Sequence, residues 1–151
     1  MLIKDFENFK PYFSANENWG DIEKISWVHV HQLWQIRTYL YLLGMKWPMI
    51  IHNSYASSGH ANNSMHYKGL ATDWHFVTEA TFQEQYRLLC AALSVANLSA
   101  FCGLGVYPDF DGKKGFFHYD SRGFCIRWIR LDGIYYYGED KILSYFSSNG
   151  R

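Results

Sequence analysis

From Ile25 to Leu43 the apolar residues Val30, Leu33, Ile36, Leu40 and Leu43 recur at intervals of three and four, and Gly44 follows them. That spacing gathers them on one stripe of a helix, and a glycine just past the stripe is a stop signal. Asp21 or Ser26 has the side-chain oxygen to cap its start. A second stripe, Phe82, Tyr86, Leu89, Ala92 and Leu93, predicts a helix from about Thr81 to Asn97. Between the two, Met49-Ile50-Ile51-His52 reads as a short buried strand. Asn53 to Asn63, dense in Ser, Asn, Gly and Ala, reads as an exposed loop. Leu70 to Phe76 is a plausible strand with Asp73 and His75 on one face, because alternate residues of a strand point the same way.

Beyond residue 100 the pattern becomes β in character, with strands expected over Phe101 to Tyr107, Gly115 to Tyr119, Phe124 to Leu131 and Ile134 to Tyr137. Turns are expected at Pro108-Asp109, Ser121-Arg122-Gly123 and Asp132-Gly133, and a short helix at Glu139 to Phe146. Helices first and an antiparallel sheet last predict an α+β fold, and the 151 residues suit one domain over 1–151. No repeat, linker or low-complexity tract interrupts it.

Composition narrows the function classes. Fourteen basic residues balance fourteen acidic ones, which gives no electrostatic footprint for nucleic acid or an anionic membrane surface. The most apolar stretch, Tyr39 to Ile51, is broken by Gly44, Lys46 and Pro48, far short of the roughly 20 residues that span a bilayer. The start, Met1-Leu2-Ile3-Lys4-Asp5-Phe6-Glu7, lacks the basic and apolar runs of a secretory signal. The expectation is a soluble, monomeric protein synthesised in the cytoplasm. Cys90, Cys102 and Cys125 are odd in number, have no metal-type spacing and sit among apolar neighbours, so they read as buried free thiols. Six Trp, twelve Tyr and eleven Phe could stack on sugar rings or line a peptide groove, although core and strand packing accounts for most of them.

The candidate chemistry lies in the middle of the chain. His66 and Asp73 stand seven residues apart in Ser64-Met65-His66-Tyr67-Lys68-Gly69-Leu70-Ala71-Thr72-Asp73, and His118 follows in Phe116-Phe117-His118-Tyr119-Asp120. Two imidazoles and one carboxylate form the ligand set of a catalytic zinc site with an open fourth position. Each residue also has an ordinary reading, a solvated loop histidine or a hydrogen-bonded strand histidine. His118 carries most weight, because an imidazole that follows two Phe in a strand needs a partner, metal or hydrogen bond. His29, His31, His52 and His60 have no assigned role and default to surface or helix-face positions.

The run Ser-x-His-x-x-Gly-x-Ala-x-Asp, met at Ser64, His66, Gly69, Ala71 and Asp73, resembles the first zinc motif of the D-alanyl-D-alanine carboxypeptidase family, which includes phage endolysins. Gly103-Leu104-Gly105-Val106-Tyr107-Pro108 followed by Phe117-His118-Tyr119-Asp120 resembles its second signature. The lead-in, Leu33 to Ser58, is also similar, so the resemblance spans roughly Ile25 to Trp128. It implies a Hedgehog/D,D-peptidase-like fold, with helices packed on a small, mainly antiparallel sheet. It further implies a Zn2+ peptidase acting on D-amino-acid-containing peptides of bacterial peptidoglycan, with His66, Asp73 and His118 as metal ligands. Such an enzyme would reach the wall after release by a holin or inside a virion.

Two departures from the family pattern matter. Many members place a Glu three residues before the second histidine, where this chain has Gly115. The nearest acids are Asp120, Asp109 and Asp111. Asp120 is the expected catalytic carboxylate, since side chains at i and i+2 of a strand lie about 7 Å apart. Its alternatives are a turn residue and a partner that orients a ligand. The family's frequent Tyr-Arg-Ser reads Tyr55-Ala56-Ser57, which removes an anchor for a substrate carboxylate. Endopeptidase action, or an anchor at Arg122, Arg127 or Lys68, then gains weight. Ser64 and Tyr107 could offer hydroxyls to the substrate, and His75 could support Asp73. A zinc-binding module of the same fold that does not catalyse, and a metal-free interaction domain, are the rival readings.

Overall fold

The computed structural model describes residues 1–110 and 113–149. Helix α1 spans Trp27–Leu42, and of the two candidate caps Ser26 takes its start, its Oγ accepting from the His29 amide. Asp21 caps the short 3₁₀ turn Ile22–Lys24 just before it. Val30, Leu33, Ile36 and Leu40 are buried, whereas Leu43 is exposed. The helix ends one residue before Leu43, and Gly44 turns the chain away at a φ of +89°. Helix α2 spans Phe82–Val95, capped by Thr81, with Tyr86, Leu89, Ala92 and Leu93 buried on the expected stripe. Helix α3 spans Glu139–Asn149, longer than expected, and buries Ile142 and Phe146.

The six strands are β1 Met49–Asn53, β2 Ala71–Phe76, β3 Gly103–Phe110, β4 Lys113–Asp120, β5 Ile126–Leu131 and β6 Ile134–Tyr137. They form one sheet in the order β1-β2-β4-β3-β5-β6, antiparallel at every pairing except β3 with β5. The chain is therefore α+β with a mainly antiparallel sheet. Among the described residues no helix is long and apolar enough to cross a membrane.

Three local expectations need correction. Pro108-Asp109 is not a turn: β3 runs on to Phe110, pairing Tyr107 with Phe116 and Asp109 with Lys114. The intervening Pro108 and Gly115 make no ladder pair, in keeping with a proline that has no N–H to give. The strand expected from Phe124 begins at Ile126, and Phe124 is exposed. Cys125, on the same approach, is an exposed thiol rather than a buried one, while Cys102 is buried and Cys90 half-buried.

Strand alternation sorts the sheet into two faces. Ile51, Trp74, Phe76, Leu104, Val106, Phe117, Tyr119 and Ile129 belong to the hydrophobic core, together with the buried residues of the helices. Phe6, Phe9, Phe13 and Trp19, from a 3₁₀ helix at Ile3–Phe9 and the loop after it, join the same core. The opposite face carries Asp73, Phe116, His118, Tyr107, Trp128, Arg130, Tyr135 and Tyr137, and it opens onto a cleft of about 1140 Å³.

Candidate metal centre

The loop that delivers His66 is built from its neighbours. Ser64 caps a 3₁₀ turn at Met65–Lys68, its Oγ accepting from the His66 amide at 3.3 Å. Gly69 ends the turn at a φ of +65°, so tightly against the N-terminal segment that a Cβ would overlap the Lys24 carbonyl oxygen. The chain then enters β2, which sets Ala71 opposite Asp120 and Asp73 opposite His118 on β4. Serine, histidine, glycine and aspartate hold their spacing because cap, ligand, left-handed turn and strand register follow one another.

Three ligand atoms converge at the floor of the cleft. His66 Nε2 lies 3.3 Å from His118 Nδ1 and 3.3 Å from Asp73 Oδ2, and Asp73 Oδ1 lies 2.7 Å from His118 Nδ1. Ligands about 2.0–2.1 Å from a tetrahedral ion stand about 3.3 Å apart, so two of these separations are edges of such a tetrahedron. His66 and His118 are buried and Asp73 nearly so. The donor set and its spacing fit a divalent metal ion.

Both imidazoles are aimed by what their second nitrogen meets. His66 Nδ1 donates to the Ser54 carbonyl oxygen at 2.5 Å, which leaves the Nε2 lone pair facing the centre. His118 Nε2 lies 3.0 Å from Asp120 Oδ2, which turns Nδ1 inward. Partners of this kind fix the tautomer and orientation of a metal-binding histidine. Asp120, with no exposed surface, is gripped by Arg122 through Nε at 2.6 Å and Nη2 at 2.5 Å. Of the roles expected for Asp120, orienting a ligand is the one its geometry fits. Its carboxylate lies behind the His118 ring, on the far edge from the ligand atoms, rather than beside the open position.

Electrostatics agree with the packing. Burial pushes the Asp73 carboxyl up, but His118 and His66 outweigh it and hold the group well below the usual carboxylate range. Burial pulls His118 down, but Asp73 and Asp120 together raise it to about 9. Burial raises Asp120 as well, and Arg122 with His118 overcomes that and lowers it. Without metal the site thus holds a proton where an ion would bind, and a metal ion must displace that proton.

Two glycines of β3 make room for this arrangement. A Cβ on Gly103 would collide with the Asp120 carboxylate and Arg122, and one on Gly105 with the Trp128 indole. Trp128 can therefore lie across β3 against the His118 ring, with centroids 5.1 Å apart. Gly115 has a different constraint. A side chain there would run into the carbonyl oxygens of Tyr107 and Pro108, so the position three residues before His118 admits no side chain in this backbone.

The other expected residues are distributed as follows. Ser64 and Tyr107 both line the cleft. Ser64 Oγ is engaged as a cap, while the Tyr107 hydroxyl accepts from Trp128 Nε1 at 3.1 Å and keeps its proton, since burial pushes the phenol pKa up. Arg122 lines the cleft but commits two nitrogens to Asp120. Arg127 belongs to the other face, buried and donating to the Cys102 and Ser99 carbonyl oxygens, each at 2.9 Å, so it is no substrate anchor. Lys68 is exposed outside the cleft lining. His75 Nδ1 meets His52 Nε2 at 2.5 Å. Asp111 lies outside the described residues, as does the side chain of Asp109.

Two histidines without an expected role turn out to support the centre. His60 stacks on His66 with centroids 4.2 Å apart and accepts from Asn53 Nδ2 at 3.1 Å. Burial and the neighbouring His66 lower its pKa, which keeps it neutral near pH 7. His29 of α1 is fully buried, its ring nitrogens 2.8 Å from Ser121 Oγ and 2.8 Å from Thr72 Oγ1. Thr72 Oγ1 lies 2.9 Å from Ser54 Oγ, and Ser54 holds His66 through its carbonyl. Desolvation drives the His29 pKa down to about 3, so it is a neutral member of this network. The only hint in the sequence is that His29 precedes the first residue of the α1 stripe. No family model, no curated protein and no solved structure matches the chain.

Proposed function

We propose that the chain is a zinc peptidase that hydrolyses D-amino-acid-containing peptide bonds of bacterial peptidoglycan, on a fold of the Hedgehog/D,D-peptidase kind. The observation that carries this reading is the convergence of His66 Nε2, His118 Nδ1 and the Asp73 carboxylate on an open cleft, with each imidazole held from behind. An ion bound by three protein ligands would supply hydroxide near neutral pH and polarise a scissile carbonyl. The chain's own part is to aim the ligands through Ser54 and Asp120 and to offer polar hydrogens along the cleft. Tyr107 is the clearest of these, with a protonated hydroxyl anchored by Trp128. The enzyme would act at the wall after release by a holin or delivery in a virion.

A second reading is a zinc-binding module of the same fold that binds a partner or wall fragment without catalysis. It is favoured by one observation: Asp73, itself a ligand, is the one acid among the described residues lining the cleft. Elemental mass spectrometry of wild type, His66→Ala and His118→Ala tests the metal, and turnover of purified peptidoglycan separates the two readings. About one zinc per chain, lost in both variants, with release of wall peptides by wild type, supports the peptidase. Zinc without turnover selects the binding module. No zinc in wild type, even after addition, sinks both.

A further inference from the structure

The cleft extends well past the metal ligands, and its far wall is aromatic. Along one row of the open face His118 pairs with Gly105, Gly105 with Trp128 and Trp128 with Tyr137. Three strand spacings of about 4.8 Å put Tyr137 about 14 Å from His118. Tyr135 and Tyr137, two residues apart on the edge strand β6, share this face and are 48% and 61% exposed. They line the cleft rather than the core. Tyr135 is braced edge-on by Tyr107 at 6.4 Å, and Tyr107 is stacked on Phe116 at 4.3 Å. The Arg130 guanidinium lies 5.6 Å from the Tyr135 ring centre.

This wall has ring faces for apolar contact and hydroxyls at the ring tips, and its two tyrosines are 48% and 61% exposed among the described residues. Its ligand must have one flat apolar face and a polar rim. A pyranose ring has that character: its axial C–H groups lie on an aromatic face while its hydroxyls point outward to polar groups. The cleft runs from His66, Asp73 and His118 to Tyr135 and Tyr137, so one extended substrate can reach both ends.

We propose that Tyr135 and Tyr137 form a saccharide subsite, so that the substrate is a peptide still attached to its glycan. The assignment rests on the peptidase reading for what is cut, and on the aromatic wall alone for what is bound there. The 14 Å span corresponds to about four extended residues at 3.3–3.6 Å each. The bond cut therefore lies several residues from the sugar rather than next to it.

The probe is a neutral tetramer of N-acetylglucosamine, titrated by NMR into wild type, Tyr135→Ala and Tyr137→Ala as purified. Both tyrosines are exposed on an edge strand, so the variants should keep the wild-type spectrum elsewhere. Saturable shifts at β5 and β6 in wild type, with affinity about tenfold weaker in each variant, are expected. No saturable binding, or equal binding in all three proteins, overturns the subsite. Binding of a leucine-rich peptide in place of the saccharide also overturns it and makes the wall a peptide surface. Saccharide binding in a protein without peptidase turnover supports the subsite and removes the peptidase reading, so the two fail separately.

Discussion

Replacing Asp120 by Asn tests whether this carboxylate orients His118 or takes part in chemistry. The side chain keeps its size and an oxygen that can accept from His118 Nε2, but the negative charge shared with His118 and Arg122 is lost. Its contacts are 3.0 Å to His118, which is buried, and 2.6 and 2.5 Å to Arg122, which are part-buried. Loss of such a supporting group typically costs 10–100-fold in metal affinity, or about 1.4–2.7 kcal/mol. The apoprotein should weaken as well, because Arg122 is left without its charge partner, and breaking a buried pair costs about 3–5 kcal/mol. Arg122 retains some exposure, 19% of its side chain, so the low end of that range applies. The assay is zinc competition against a chromophoric chelator, with a thermal melt in excess chelator read on the same samples. If Asp120→Asn binds zinc as tightly as wild type yet loses turnover, the positioning account is wrong and Asp120 is a proton carrier.

Other consequences can be measured independently. Gly105→Ala should push Trp128 off the His118 ring and destabilise the fold by about 1–3 kcal/mol; an unchanged denaturation midpoint would show that the indole moves freely. Gly115→Glu, which places an acid where many members of the resembled peptidase family carry one, should lower the melting temperature and give no gain in turnover, because the side chain meets the Tyr107 and Pro108 carbonyl oxygens. A rise in turnover would mean that β3 and β4 separate readily at that point. His29→Leu leaves the Thr72 and Ser121 hydroxyls short of a partner, at about 1–3 kcal/mol for an unsatisfied buried group. Urea denaturation reads that loss, and a fully stable variant would show that the network repairs itself.

Much of the fold was legible because its helices are amphipathic. The α1 and α2 stripes follow helical spacing, and β6 falls between two glycines at Ile134–Tyr137. The segment before α1 is not legible. Phe6, Phe9, Phe13 and Trp19 are buried from 3₁₀ and loop backbone, where no single period marks the inward positions. The three residues that converge, His66, Asp73 and His118, are readable from residue type and spacing. The supports Ser54 and His29 are not, since they act through register and packing between segments distant in sequence. Asp120 shows the limit most clearly: strand periodicity places it on the face of His118, but the direction of its carboxylate depends on Arg122 and on the space above Gly103.

Gly103 and Gly105 leave the open face of β3 bare beside β4, the strand of His118, and this couples folding to the site. Slipping β3 by one residue against β4 would put Leu104 or Val106 where Gly105 now faces His118. Their bulk would take the volume that Trp128 and the Asp120–Arg122 pair occupy, and a set of core side chains would turn toward water. Correct registration of the central strands and assembly of the ligand support are therefore one event. If the centre holds zinc as proposed, a misregistered chain would fail to retain it, and metal retention would report whether the sheet has closed in its native alignment.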